Sequence, residues 1–138
     1  MSEVFTKPVP QPTPDTQPHW DGLARGEYLI QRCKGCGKLR HYPRPVCDGC
    51  WSMEHEWVAA SGRGTVHSWT VCHHAFHMGF KAESPYILLT VELAEGVRAM
   101  GQLRGIAADA LRLGLAVELG YERQGDGPVL PIFRPASG

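Results

Sequence analysis

The sequence has no excess of charge of either sign: 14 lysines and arginines balance 14 aspartates and glutamates. Proteins that bind nucleic acid through its phosphates normally carry a basic excess, because their cationic side chains must displace counterions. The charge balance therefore argues against that function. A local cluster of basic residues does surround the cysteines, and a solvated face explains it more readily than a binding surface: Arg25, Arg32, Lys34, Lys38, Arg40 and Arg44.

Long apolar runs are also missing. No stretch approaches the roughly 20 consecutive apolar residues that are needed to cross a bilayer, and residues 1–18 contain no apolar core of a signal peptide. We therefore expect a cytoplasmic protein with no membrane partner. In a reducing compartment, paired cysteines are metal ligands or redox groups more often than structural disulfides.

Motifs of known catalytic sites are absent from the sequence as well. It has no nucleophile elbow and no convincing triad, and Gly62-Arg63-Gly64 is too short for a nucleotide-binding fingerprint. Cys72 lies near the end of a candidate strand, where a small buried apolar role is commoner than that of a nucleophile. We therefore expect no catalytic residues in this chain.

Glycine and proline, in contrast, are abundant. The 16 glycines and 11 prolines exceed average usage, which argues for many turns and few long helices. Proline recurs at almost every second position from Pro8 to Pro14, a pattern that forbids a helix and favours an extended backbone. Residues 1–19 are therefore predicted to form a proline-rich extended arm. Such an arm is either disordered or ordered only along a partner subunit.

Two Cys-x-x-Cys pairs, Cys33 with Cys36 and Cys47 with Cys50, are the most specific motif in the sequence. Each pair is typical of a knuckle that presents two thiolates to one ion, and two knuckles complete the tetrahedral coordination of zinc. Four protein ligands leave no position for water or substrate, so the predicted zinc site is structural. Iron bound by the same four thiolates is an alternative that the spacing does not distinguish. A thioredoxin-like redox role does not fit, because the pairs do not begin a helix within an α/β pattern.

Short strands separated by turns dominate the sequence from residue 54 onward. The strongest is predicted at residues 85–93, and the turn Glu95-Gly96 joins it to residues 97–103 as a hairpin. Further strands are predicted at residues 27–32, 56–60, 65–71, 115–122 and 129–133. Helical composition is confined to residues 107–113, between the third and fourth strands when they are counted from residues 65–71. That layout favours a five-stranded OB-type barrel over a generic sandwich.

These patterns predict a mainly β protein, with a zinc ribbon at residues 20–53 and an OB-fold domain at residues 54–138. One helical turn is expected at residues 20–24. The loop after residue 72 is unusual, because it combines three histidines with two aromatic residues. It contacts the body or a partner, lines a pocket, or binds a second metal, and the first of these is favoured. Its candidate pocket or partner-contact residues are His73, His74, Phe76, His77 and Phe80.

The order of motifs resembles a family with a rubredoxin-like zinc ribbon and an acyl-CoA-associated OB domain. The ribbon motif consists of Gln31-Arg32-Cys33-Lys34-Gly35-Cys36-Gly37 and Pro43-Arg44-Pro45-Val46-Cys47-Asp48-Gly49-Cys50. Further matches are Trp20, Glu56-Trp57, Ser61-Gly62-Arg63-Gly64-Thr65-Val66, Pro85-Tyr86, Val91-Glu92-Leu93-Ala94-Glu95-Gly96-Val97-Arg98 and Pro131-Ile132-Phe133. The resemblance covers about residues 20–135. Many relatives begin with an amphipathic helical hairpin, where this chain has the proline-rich arm.

The resemblance implies an accessory subunit rather than a free enzyme. Relatives are encoded beside thiolase-fold proteins and form heteromers with them, and the partner supplies the catalytic groups. The OB domain would then shape the entrance for a coenzyme A thioester, and the ribbon would fix the docking geometry. Arg40 and Arg44 become candidates for contact with the phosphates of CoA. The reaction implied is thiolytic or retro-aldol chemistry on CoA thioesters, as in β-oxidation-like degradation of an aromatic or steroid compound, or a related acyl transfer.

Two other functions compete with this hypothesis. A zinc-ribbon OB module could bind single-stranded nucleic acid, which requires a basic groove with stacking aromatics; the neutral charge opposes it. A self-sufficient enzyme could use the histidine loop. Large apolar residues in turns and loops favour the heteromer, because exposed apolar patches mark interfaces: Trp20, Trp51, Phe76, Met78 and Phe80.

Overall fold

The computed structural model describes residues 7–137, so the first six residues of the predicted arm lie outside it. Its helix and strands are α1 (Gln17–Ala24), β1 (Leu29–Cys33), β2 (Leu39–Arg40), β3 (His55–Ala59), β4 (Arg63–Cys72), β5 (Tyr86–Leu93), β6 (Arg98–Leu103), β7 (Ala116–Arg123) and β8 (Val129–Pro135). The predicted mainly β fold, a small ribbon followed by a five-stranded OB barrel, is confirmed. No helix of residues 7–137 is long and apolar enough to span a membrane.

Helix α1 begins earlier than the sequence predicts. It starts at Gln17, inside the predicted arm, because Pro18 lies in the first helical turn, where no amide donor is needed. Gly22 is buried, and a Cβ there would lie 2.8 Å from Cγ of Leu29, so glycine allows the helix to pack closely on β1. His19 and Leu23 are also buried on this face. The helix therefore docks the end of the arm onto the ribbon.

The ribbon is a three-stranded antiparallel sheet with the strand order β2-β1-β3. Strand β1 pairs with β3 over its full length, from Leu29 opposite Ala59 to Cys33 opposite His55. The sequence predicted this strand as the first of the OB-fold domain, beginning at residue 54. In the structure its backbone pairs with the open edge of β1 and so completes the ribbon sheet. The connection to the barrel follows at Ala60, whose amide donates to the carbonyl of Tyr28.

The barrel closes in the order β4-β5-β6-β8-β7, with β7 returning to β4. Every pairing is antiparallel except that of β6 with β8. The register between β4 and β5 shifts between Val66 and Ser68, a bulge that bends the longest strand around the barrel. The barrel core is formed by buried side chains from all five strands: Val66, Leu89, Val91, Leu93, Ala99, Leu103, Val117 and Phe133.

The helix that the sequence predicts at residues 107–113 is not formed. The structure has only a three-residue 3₁₀ turn there, Ala108–Ala110, and both flanking residues are extended. Leu111 packs into the core immediately after this turn, and Gly114 begins the return to β7 with a φ of 82°. A segment this short can bury one leucine without forming α-helical turns.

The described part of the arm runs along the barrel. Lys7 forms an ion pair with Glu83, and its ammonium lies 5.3 Å from the ring centre of Phe80. The side-chain amide of Gln124 donates to the carbonyl of Pro8 at 3.4 Å. Together with β7 and β8, the arm borders a cleft of about 650 Å³. The arm therefore links the loop after β4 to the turn between β7 and β8.

Candidate metal centre and partner-facing surfaces

The four predicted ligands come together at one end of the ribbon. The sulfurs of Cys33, Cys36, Cys47 and Cys50 all lie within 4.8 Å of one another. The Sγ atoms of Cys33 and Cys50 are 3.5 Å apart, and those of Cys36 and Cys47 are 3.7 Å apart. Such spacings suit four thiolates around one ion. Among residues 7–137, no other group of three or more potential ligands is this close.

Each pair of ligands folds as a knuckle with the same backbone hydrogen bonds. The amides of Gly35 and Gly49 each donate at 3.3 Å to the sulfur of the cysteine two residues earlier. Gly37 adopts a φ of 79°, and its amide donates to the carbonyl of Cys33 at 2.9 Å. Amide donors that point at sulfur stabilise thiolates and orient them for metal binding. The local sequence therefore builds the site before any ion arrives.

Backbone amides, burial and neighbouring thiols shift the pKa values of the cluster's cysteines in different directions. The backbone amides of Cys36 and Gly35 and neighbouring thiols lower the pKa of Cys33 to about 6, against the effect of burial. Amides of Cys50 and Gly49 likewise lower the pKa of Cys47. At Cys50, the amide of Ser52 lowers the pKa, but hydrogen bonds from neighbouring thiols and burial outweigh it and raise the value to about 12. Four thiolates cannot coexist here without a positive ion. The residues thus fit a fully coordinated, structural zinc.

Arg40 lies inside the ribbon, where it holds the loop between the two knuckles. It is only 7% exposed. Its Nε donates to Oε1 of Gln31 at 2.6 Å, and its Nη2 donates to the carbonyl of Arg44 at 2.9 Å. This burial contradicts the expectation that Arg40 contacts the phosphates of CoA, since the guanidinium is used within the fold. The side chain of Arg44 is exposed, so that prediction stands for Arg44 alone.

The histidine loop between β4 and β5 carries the most exposed apolar residue of the described chain. Phe76 is 95% exposed, and the ring of His74 lies edge-on to it, with the two ring centres 4.6 Å apart. His77 caps the 3₁₀ helix Met78–Glu83, because its Nδ1 accepts from the amide of Gly79 at 2.9 Å. His73 and His74 are exposed. The loop therefore presents its side chains outward.

Phe80 and Trp20 are less exposed than their predicted places in loops suggest. Phe80 is half-buried, with its ring centre 5.6 Å from that of Tyr86. Trp20 lies on α1 and packs against the core. Cys72 is half-buried at the end of β4, opposite Tyr86. Proximity to Cys72 adds to the effect of burial in raising the pKa of Tyr86.

An aromatic cluster where α1, the ribbon and the barrel meet was missed by sequence reasoning. The hydroxyl of Tyr28 lies 2.7 Å from Nε2 of His41, and Nδ1 of His19 lies 3.0 Å from the carbonyl of Leu29. The ring of Tyr42 lies 3.9 Å from that of His41, and its hydroxyl accepts from the amide of Met100. The sequence contains these aromatic residues, but no pattern in it predicts that they pack together. Burial, followed by the proximity of His19, lowers the pKa of His41 to about 3.

Comparisons with known proteins match both halves of the chain. Residues 20–56 match the ChsH2 rubredoxin-like zinc ribbon domain, and residues 57–122 match the ChsH2 C-terminal OB-fold domain. A solved chain described as "Ltp2-ChsH2(DUF35) aldolase" superposes with a TM-score of 0.84 and 38% identity, covering 93% of this chain and 99% of that one.

Several curated relatives are named as subunits of enzymes that act on CoA thioesters. The "benzoylsuccinyl-CoA thiolase subunit BbsA" of Thauera aromatica is 35% identical, over 86% of this chain and 85% of that protein. A "probable enoyl-CoA hydratase alpha subunit" of Thermomonospora curvata is 38% identical over 94% of this chain. A "3-oxo-4,17-pregnadiene-20-carboxyl-CoA hydratase alpha subunit" of Mycobacterium tuberculosis is 39% identical over 81%. The chain spans only 40% and 35% of the lengths of these two hydratase subunits. The chain belongs to the ChsH2 family, whose members join a rubredoxin-like zinc ribbon to a C-terminal OB fold.

Proposed function

We propose that this chain is a non-catalytic accessory subunit that docks on a thiolase-fold partner and helps to form the partner's acyl-CoA site. The observation that carries the proposal is the near-complete superposition on a chain of an aldolase assembly, at 38% identity and a TM-score of 0.84. The likeness extends across ribbon and barrel together, so the whole architecture is shared rather than one common module. The thiolase subunit of Thauera aromatica supports the same assignment.

The metal centre supports a structural role for the ribbon. Its four cysteine ligands complete a tetrahedral site, so a bound zinc would hold the two knuckles together. A ribbon of this size has too little core to fold without such a cross-link. The function of the centre is therefore to fix the shape of a docking element. The chemistry of the complex belongs to the partner.

The histidine loop supports a partner contact on the barrel. Phe76 and Met78 are 95% and 47% exposed. Apolar residues presented in this way are poorly shielded in a monomer, and they often mark protein interfaces. The 3₁₀ helix that follows, with its cap at His77, gives the loop a defined shape. In our proposal this loop lies beside the acyl-CoA entrance of the partner.

The substrate is a CoA thioester, and the reaction cleaves a carbon–carbon bond by thiolysis or retro-aldol chemistry, or transfers an acyl group. The names of the thiolase subunit and the aldolase assembly support these classes. A place in the β-oxidation-like degradation of an aromatic or steroid compound follows from the same relatives. Arg44 is the residue of the ribbon that remains available for a CoA phosphate.

Purification of the native protein, followed by reconstitution with the thiolase-fold protein that comes with it, tests the proposal. We expect co-purification of the two proteins, no thiolase or aldolase activity of this chain alone, and activity on a CoA thioester only in the complex. Cys72→Ala should leave that activity within a few-fold of the parent. A loss of about a thousandfold with the fold intact would identify Cys72 as a nucleophile and overturn the non-catalytic role.

Hydrogen exchange locates the interface in the same complex. Protection should rise in residues 73–84 and around Trp20 when the partner binds. Unchanged exchange in both regions, in a complex that still forms, would place the interface elsewhere. An interface that buries well over 1,000 Å² is expected for a specific heteromer.

A further inference from the structure

Trp51 has a backbone conformation that tryptophan rarely adopts. Its φ is 66°, in the left-handed region that a Cβ disfavours, and no other residue except glycine in the described chain has a positive φ. Gly37 occupies the corresponding position of the first knuckle, with a φ of 79°. Each of these amides donates to the carbonyl of the first cysteine of its pair, at 3.0 Å for Trp51 and 2.9 Å for Gly37. Glycine is therefore the unstrained residue at both positions.

Contacts of the Trp51 indole within the fold do not offset this backbone strain. Its residue is 80% exposed, so the ring neither packs in the core nor shields the sulfurs to any extent. Met53, two residues later, is 70% exposed. Between them, the carbonyl of Ser52 accepts from the amide of Cys47 at 2.9 Å, which ties this segment to the knuckle. A strained residue with no internal benefit indicates a function outside the chain.

The position of the two side chains suits an anchor. Strand β1 runs from the barrel junction at Leu29 to the knuckle at Cys33, so the metal centre lies at the end of the ribbon sheet away from that junction. A metal cross-link holds this end rigid, which reduces the entropy lost when its side chains are buried by a partner. Tryptophan is the residue most enriched among those that dominate binding energy at interfaces.

Charge does not dominate the patch. The exposed side chains of Lys34 and Arg44 have no ion pair among residues 7–137, whereas Lys38 pairs with Asp48. The amide of Lys34 donates to the carbonyl of Glu54, so Lys34 lies beside Met53. The carboxylate of Glu54 and the net negative charge of a zinc ion held by four thiolates offset these cations, so no positive excess remains around Trp51. The apolar side chains of Trp51 and Met53 therefore define the surface that a partner must complement.

We propose that Trp51 and Met53 form a second docking point, separate from the histidine loop, which inserts into an apolar pocket on the thiolase-fold partner. This inference rests on the proposed function, since it assigns the same partner a second contact. A bound metal would then stiffen the end of the ribbon that carries Trp51. The strained backbone of Trp51 presents its indole to the partner.

Trp51→Gly separates binding from folding, because glycine suits the left-handed backbone. The variant should keep its zinc content and melt within a few degrees of the parent. Its affinity for the co-purified thiolase-fold protein, measured by calorimetry, should fall about 30-fold, as is usual for a central tryptophan. Leu113→Ala is the matched control: Leu113 is 69% exposed on the barrel, and its truncation should leave affinity unchanged.

The outcomes separate the two proposals. If the parent chain does not bind the thiolase-fold protein, the proposed function fails and this inference falls with it. If the parent binds and Trp51→Gly binds as tightly, or if Leu113→Ala loses as much affinity, only the docking point at Trp51 is overturned.

Discussion

Arg40 and Gln31 meet inside the ribbon, where the Nε of the arginine donates to Oε1 of the glutamine at 2.6 Å. The same oxygen accepts the amide of Arg44 at 2.8 Å. Both side chains are buried, and neither Nη1 of Arg40 nor Nε2 of Gln31 has a partner within the described chain. One glutamine oxygen therefore serves a buried cation and a loop amide at once. It fixes the loop that carries the second knuckle.

Gln31→Met tests this arrangement, because methionine has nearly the same shape but accepts no strong hydrogen bond. We expect a loss of about 3 kcal/mol in the free energy of unfolding, since a buried guanidinium loses its acceptor. Denaturant titration of the zinc-loaded protein measures it. Gln31→Glu should stay within about 1 kcal/mol of the parent, because a carboxylate pairs with Arg40. Equal stability of Gln31→Met and the parent would contradict a supporting role.

The exposed guanidinium of Arg44 provides the matched control. Arg44→Ala keeps the backbone amide that donates to Gln31, so the free energy of unfolding should change by less than about 0.5 kcal/mol. A larger loss would mean that the side chain, rather than the amide, holds the loop. Since the fold is preserved, the same variant can be used to examine a contact with CoA phosphate in the complex.

Metal analysis tests the centre formed by the four cysteines. We expect close to one zinc per chain, and Cys47→Ser should lose metal and solubility together, because the knuckles have little core of their own. Cys72→Ala is the control. Because Cys72 lies outside the cluster, this substitution should leave the metal content unchanged. A metal-free chain that remains fully folded would show that the ribbon does not depend on the ion.

Acid should destabilise the aromatic cluster through His41. Burial lowers its folded pKa to about 3 from an ordinary value of 6.5, so the unfolded chain binds more protons between these values. Stability contributed by neutral His41 is therefore present above about pH 6.5 and is lost as the pH falls toward 3. The slope approaches about 1.4 kcal/mol per pH unit.

The double variant Tyr28→Phe/His41→Phe removes both partners of this hydrogen bond and keeps two rings in place. Its free energy of unfolding should depend less on pH than that of the parent between pH 6 and 4. Burial also lowers the pKa of His19. His19 therefore adds a pH dependence of the same direction to the free energy of unfolding of both proteins. Zinc content measured at each pH separates this effect from metal loss. Identical slopes of the free energy of unfolding against pH would show that His41 does not contribute to the pH dependence.

The sequence predicted the parts of the fold that depend on local pattern. Four cysteines at fixed spacing predicted the metal centre, and alternating strands predicted the barrel. The pairing of the strand His55–Ala59 with β1 was not predicted, because alternation identifies a strand but not its neighbour, and β1 lies more than twenty residues earlier in the chain. Helix α1 was predicted too short because the extended arm was predicted to continue to residue 19, whereas Pro18 lies in the first helical turn.

Site residues were harder to predict, because exposure depends on tertiary packing. In the sequence, Arg40 and Arg44 are both basic residues of the spacer between the two cysteine pairs, yet Arg40 is buried and Arg44 is exposed. The left-handed backbone of Trp51 follows from the knuckle, so comparison of the two Cys-x-x-Cys pairs offered a signal for it. Glycine follows the first pair and tryptophan the second.

The arm should stabilise the histidine loop through Lys7. Its ammonium lies 2.5 Å from Oε2 of Glu83 and also contacts the ring of Phe80. The other carboxylate oxygen of Glu83 accepts from Gln102 at 3.3 Å, which connects the loop to β6. Both side chains of the ion pair are less than a third exposed, so this pair is worth more than most surface pairs.

Lys7→Ala removes both contacts, and we expect hydrogen exchange in residues 78–83 to rise about fivefold, which corresponds to about 1 kcal/mol of local stability. Glu83→Gln removes the charge of the pair but keeps the contact of Lys7 with Phe80, so its effect should be intermediate. Lys81→Ala is the matched control, because Lys81 lies in the same exposed turn and has no ion pair within residues 7–137. Exchange in Lys7→Ala equal to that of Lys81→Ala would show that the arm lies on the barrel without ordering the loop. The graded result would instead show that the arm shapes the surface proposed to meet the partner.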